Sequence, residues 1–247
     1  MANDNRLDTE KDSLDYAISV FRVLNNVFNR LTTLIWVIVL LMAGYAMYDN
    51  YVVFNQANDK SVLKYKPATP EEVSEQTTYI PDAIAWITID DTTIDYPVLQ
   101  GDDNNEYLNK DPLGEFSLSG SIFMDYRNNP DFSDEYSLIY GHHMEHNAMF
   151  GALDDFKNEE FFNSHKTAKL ITKDSTYNLK IYAVANCTVA DEEIFTPDTK
   201  AKVDRFMESN ALYDDGTSSE YDRIIALTTC ASSPSEARLL VLCGIEE

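Results

Sequence analysis

Basic residues are scarce in this chain: 19 Lys and Arg stand against 42 Asp and Glu over 247 residues, a formal net charge of −23. That balance excludes nucleic acid as a partner, because phosphate binding needs a basic face and no basic stripe is present. The acidic surface reads as a solubility device. Cysteine is rarer still, with only Cys187, Cys230 and Cys243, all in the carboxy-terminal part. A disulfide scaffold needs more of them, and the odd count leaves at least one thiol free or paired between molecules. There is no CxxC and no HExxH, so the histidines of HHMEH, although His142 and His146 are spaced i,i+4, lack the partners of a tetrahedral zinc site and no metal is expected. Internal repeats and low-complexity tracts are absent.

Long apolar runs are equally few. Residues 31–48, LTTLIWVIVLLMAGYAMY, form the single uncharged stretch long enough to cross a hydrocarbon layer. A cleaved signal peptide ending near Gly44-Tyr45-Ala46 is the competing reading, but a leader of some thirty residues carrying both signs of charge is long for a signal sequence, which favours an uncleaved anchor. Arg22 and Arg30 precede the run and Lys60 is the first basic residue after it, an asymmetry that keeps the amino end in the cytoplasm. Leu14, Ala17, Ile18, Phe21, Leu24 and Phe28 recur at helical spacing and either extend the anchor helix or lie on the inner leaflet. The expected organisation is a cytoplasmic segment (1–30), a membrane anchor (31–48), a polar stalk with a short helix from about Pro70 (49–80) and one extracellular domain (81–247).

The chain as a whole is 44% hydrophobic, and the part after the anchor is long enough to bury a core. Runs rich in β-branched and aromatic residues at 84–89, 93–99, 121–126, 136–140, 168–172, 177–186, 223–229 and 238–245 predict about eight strands, the first two joined by a hairpin at Asp90-Asp91. Helical periodicity marks 149–162 and 199–212. Many short strands with few helices predict a mainly β domain closed as a barrel or sandwich.

Chemistry concentrates in two places. Cys230 closes the run IIALTTC and Arg238 opens the run RLLVLCGI, eight residues on. If those strands pair, the cysteine and the arginine become cross-strand neighbours. A fixed cation there favours thiolate over thiol and offers a fork of donors to a developing oxyanion. Thr228 shares the face of Cys230 by strand alternation, so its hydroxyl is expected in the same pocket. A thiolate nucleophile also needs a proton carrier. His142, His143 and His146 cluster in YGHHMEHNAMFG directly after the strand YSLIY, while His165 ends a polar helix; spacing alone does not choose between His142 and His143. Cys187 and Cys243 lie inside apolar strands and read as core.

A strand ending in LTTC, an arginine at the start of the last strand and YGHHM after an earlier strand together resemble the sortases, membrane-anchored cysteine transpeptidases. The segments IDYPVLQG, NNEYLNKD, SGSIFMDYRN and IYGHHMEHNAMFGAL are similar to class B members, and the combination with the ending GIEE to those that polymerise pili. Asp111-Pro112-Leu113 falls inside the barrel sequence rather than ahead of it, unlike the lid of class C enzymes. The resemblance implies an eight-stranded sortase β-barrel with peripheral helices. It assigns Cys230 as nucleophile, His142 as general acid and base, Arg238 as oxyanion and substrate clamp, and Thr228 to the substrate groove. It further implies cleavage of an LPxTG-like or NPxT sorting signal at the Thr–Gly bond, with no cofactor. Implied partners are sorting-signal-bearing surface proteins or pilins, and an amine acceptor: a pilin lysine or a lipid-linked peptidoglycan precursor. Two other functions fit the same residues, an extracellular cysteine peptidase using water and a non-catalytic surface binding module.

Overall fold

β-Branched and aromatic residues alternate along most of the segments after residue 80, and in the computed structural model they pair into one sheet that closes on itself. The structure describes residues 2–57, 59–70, 72, 80–229 and 237–246, with 2–13 given by backbone alone. Two compact units result, Met1–Val52 and Val53–Glu247.

The first unit is carried by helix α1, Ala2–Ala57, which continues through residues 31–48 without a break. Among the described residues it is the one helix long and apolar enough to cross a membrane. The helix expected from about Pro70 lies mostly outside the described residues; before it, Ser61–Tyr65 forms a 3₁₀ turn.

The second unit is built on β1 (Ala83–Ile89), β2 (Asp95–Leu99), β3 (Ile122–Met124), β4 (Tyr136–Gly141), β5 (Thr167–Thr172), β6 (Thr176–Thr188), β7 (Ala211–Asp214), β8 (Ile224–Thr229) and β9 (Ala237–Glu246). Strand order is β5-β1-β2-β3-β4-β8-β9-β6-β7, and β5 also pairs with β6. Eight strands therefore form a closed ring, which removes the open edges of the sheet, and β7 is appended outside it on β6. The expected hairpin is present: Asp91 takes a positive φ of 58°, which a short acidic side chain tolerates, and Ile89 N–H donates to Ile94 C=O at 3.0 Å.

Each face of the sheet carries its own apolar cluster, following the period of two. Ile225, Leu227, Val241 and Cys243 pack with Phe150, Leu153 and Phe156. Ile224, Ala226, Leu240 and Leu242 pack on the other face with Val203 and Met207. Because both faces are covered, β8 is buried along its whole length and reads in sequence as a continuous apolar run.

Two helical expectations needed revision. The 149–162 periodicity is divided into a 3₁₀ stretch, Phe150–Lys157, and a short α2, Glu159–Ser164. Asn158 makes the division: its backbone is extended and its side chain accepts from the N–H groups of Glu160 and Phe161, starting a new helix. α3 spans Lys200–Asn210, after which the chain straightens into β7 instead of continuing helically to 212.

Candidate active site

β4 and β8 run parallel and finish together, their last pair being Gly141 with Thr229. Glycine is needed at that end: a Cβ on Gly141 would stand 2.7 Å from Phe150 Cγ and closer still to Ile122 Cδ1. His142 follows immediately and is 7% exposed. Its Nε2 lies 2.7 Å from the Leu108 carbonyl oxygen, and since a carbonyl only accepts, Nε2 carries the proton and donates. Burial pushes the imidazole pKa below its ordinary 6.5, the Leu108 hydrogen bond opposing it. The ring is therefore neutral at physiological pH.

The neighbouring histidines go elsewhere. His143 faces outward, its Nε2 2.8 Å from Asp154 Oδ2. The ring of His146 meets Phe54 edge-on at 5.5 Å, and His165 stacks on Phe161 at 3.7 Å. The segment between His142 and Phe150 is tied back on itself: Phe150 N–H donates to the His142 carbonyl at 3.0 Å and Met149 N–H to the Tyr96 hydroxyl at 3.1 Å.

β8 and β9 pair antiparallel from Ile224 with Gly244 to Thr228 with Leu240. Arg238 lies two residues beyond Leu240 on β9, hence on the same face, and opposite Cys187 of β6. It is 4% exposed, and its Nη1 donates to the Ala237 carbonyl at 2.9 Å. Arg238 lines a cleft of about 350 Å³. Strand residues Phe123, Tyr140 and Thr229 contribute to that cleft, as do Leu108 from one connecting segment and Val189 and Phe195 from another. Leu108, the partner of His142, thus joins the histidine to the cleft that Arg238 lines.

Thr228 is fully buried, and its Oγ1 has no hydrogen-bond partner among the described residues. Its neighbour Thr229 is the residue that lines the cleft. Cys230, expected as the nucleophile, lies outside the described residues, as does the connection 231–236. Cys187 and Cys243 are both buried, and burial pushes each thiol up to about 12. Neither forms a thiolate near neutral pH.

Inspection of the sequence missed a polar network under the cleft. Asp125 is buried and gathers Arg127 Nε at 2.8 Å, Arg127 Nη2 at 2.7 Å, Asn104 Nδ2 at 2.9 Å and the Tyr140 hydroxyl at 3.1 Å. Burial alone would raise this carboxyl, but the hydrogen bonds from Arg127 and Asn104 outweigh it and hold the pKa below the usual range. The signal was present in Asp125-Tyr126-Arg127, opposite charges spaced i,i+2 directly after an apolar strand.

Comparison with known proteins gives a consistent result. The model of the sortase domain matches residues 87–245. Sortase B of Staphylococcus aureus is 30% identical over 235 residues, which cover 88% of this chain and 96% of that protein. Among solved structures, a Streptococcus pyogenes class B sortase involved in pilus biogenesis superposes with a TM-score of 0.62 at 37% identity, covering 70% of this chain and 97% of that one. A Staphylococcus aureus sortase B–substrate complex gives a TM-score of 0.66 at 27% identity, covering 83% and 99%.

Proposed function

The chain belongs to the sortase family, class B, and is a cysteine transpeptidase; we propose that Cys230 is its nucleophile, His142 its proton carrier and Arg238 its oxyanion clamp. The observation that carries this reading is the joint ending of β4 and β8. The residue after the last β4 position is His142, and the residue after the last β8 position in the sequence is Cys230. Arg238 is the second residue of β9, the strand that returns alongside β8. The other two thiols are held protonated by burial, which leaves Cys230 as the sulfur available for attack.

The sulfur attacks the Thr–Gly carbonyl of an LPxTG-like or NPxT sorting signal, its proton passing to the neutral His142. The Arg238 guanidinium holds the oxyanion as it forms, with two donors in a fixed plane. His142 then delivers its proton to the departing glycine amine, leaving the acyl group on sulfur as a thioester. An incoming amine attacks that thioester, gives up a proton to His142 and releases Cys230. The acceptor is a pilin lysine or a lipid-linked peptidoglycan precursor, and likeness to a sortase involved in pilus biogenesis supports the pilin lysine. Residues 31–48 of α1 anchor the enzyme with its amino end in the cytoplasm and residues 81–247 outside. Anchoring holds enzyme, sorting-signal protein and membrane-bound acceptor at one surface and raises their effective concentration.

The test is turnover of labelled LPxTG and NPxT peptides by the purified protein with and without an added amine. A transpeptidase forms the amide product at the expense of hydrolysis. Hydrolysis that no amine diverts would favour the peptidase, and binding without turnover the non-catalytic module.

A further inference from the structure

We propose that Arg127 is a positioning residue for peptide binding, holding the segment that carries Val189 and Phe195 against the strands of the cleft. This rests on the function proposed above, because it assigns the cleft beside Arg238 to the sorting peptide. Arg127 uses two donors on the buried Asp125, and Nη2 reaches past that carboxylate to the Phe195 carbonyl at 2.7 Å. Asp125 in turn holds Asn104 on a different connecting segment and the Tyr140 hydroxyl on β4. One buried carboxylate therefore collects Arg127, Asn104 and Tyr140, all three of which line the cleft, and among the described residues Arg127 is the member that extends the connection to Phe195.

The same segment has a second, independent attachment. The Tyr136 hydroxyl donates to the Ile194 carbonyl at 2.8 Å, and Asp191 accepts from Thr188 N–H at 2.7 Å. Loss of the Arg127 bridge consequently leaves the segment folded and frees only its Phe195 end. Arg127→Lys is the discriminating change: lysine keeps a charge for Asp125, but one ammonium on a flexible stem does not reproduce the planar fork that spans a carboxylate and a carbonyl together. A freed wall weakens peptide binding in ground and transition states alike, which raises KM and leaves kcat.

The experiment compares wild-type and Arg127→Lys protein on fluorogenic LPxTG and NPxT peptides, with alkylation of Cys230 by iodoacetamide followed in parallel. The expected result is a rise in KM of about tenfold with kcat within roughly threefold of wild type and an unchanged alkylation rate. An unchanged KM, or a loss confined to kcat, would overturn the assignment. Should Arg127→Lys unfold, the neutral pair Asp125→Asn with Arg127→Gln carries the same KM prediction without stranding a buried charge. Failure of the wild-type protein to turn over either peptide would overturn the proposed function itself, and this inference with it.

Discussion

Thr228 sits wholly inside the domain with a hydroxyl that no described residue hydrogen-bonds. Burying a hydroxyl without a partner costs about 1–3 kcal/mol, whereas valine has nearly the same shape and no polar atom to desolvate. Its strand neighbours across the pairs are Tyr140 and Leu240, so the environment around the side chain already suits a methyl group. Valine is also at least as favourable as threonine in a strand. Thr228→Val should therefore stabilise the fold by roughly 1 kcal/mol. For a domain of this size each kcal/mol moves Tm by about 2–4 °C, which thermal denaturation resolves readily. A fall in Tm would contradict this, since it would mean that the native fold supplies the hydroxyl with a partner valine cannot replace.

Three further outcomes are expected. Arg238→Lys keeps the charge but loses the planar fork, so kcat/KM should fall by about 100-fold in steady-state assays; near-native rates would remove the oxyanion role. Cys243→Ser places an unmatched hydroxyl in the core and should lower Tm by several degrees while turnover per folded molecule is retained; the opposite pattern would move the nucleophile to Cys243. For His142, burial lowers the folded-state pKa below the unfolded 6.5. Below that value the unfolded chain binds the proton more readily than the folded one, so stability is complete above the ordinary imidazole range and declines as pH falls through it. Tm measured from pH 8 to 5 should show a decline that His142→Gln reduces; identical profiles would count against a buried neutral imidazole.

The barrel strands were legible because their side chains face two covered surfaces: IIALTT and RLLVLCGI are apolar runs whatever the register, and the turn at Asp90-Asp91 separates the first pair cleanly. β7 was not legible. Its four residues, ALYD, are largely exposed, and they continue the helical spacing of α3, so only pairing with β6 makes them a strand. The break at Asn158 was hidden for a similar reason, since a cap within a periodic stretch is set by which backbone N–H groups its side chain accepts from. At the site, sequence order placed His142 and Arg238 at strand ends, but spacing did not separate His142 from His143. Burial and the Leu108 carbonyl distinguish them. Alternation put Thr228 on the face of Cys230, which lies outside the described residues, and it is silent on depth: Thr229 is the threonine that lines the cleft. The Asp125 network joins residues from Asn104 to Phe195, contacts that only the closed ring brings together.

The acyl-enzyme proposed above is a thioester of Cys230. Incubating the protein with a sorting peptide in the absence of amine, quenching in acid and mapping the adduct by mass spectrometry tests it most directly. A thioester is expected on the peptide fragment containing Cys230, with none formed by Cys230→Ala. An adduct on Cys187 or Cys243, or full turnover by Cys230→Ala, would contradict it.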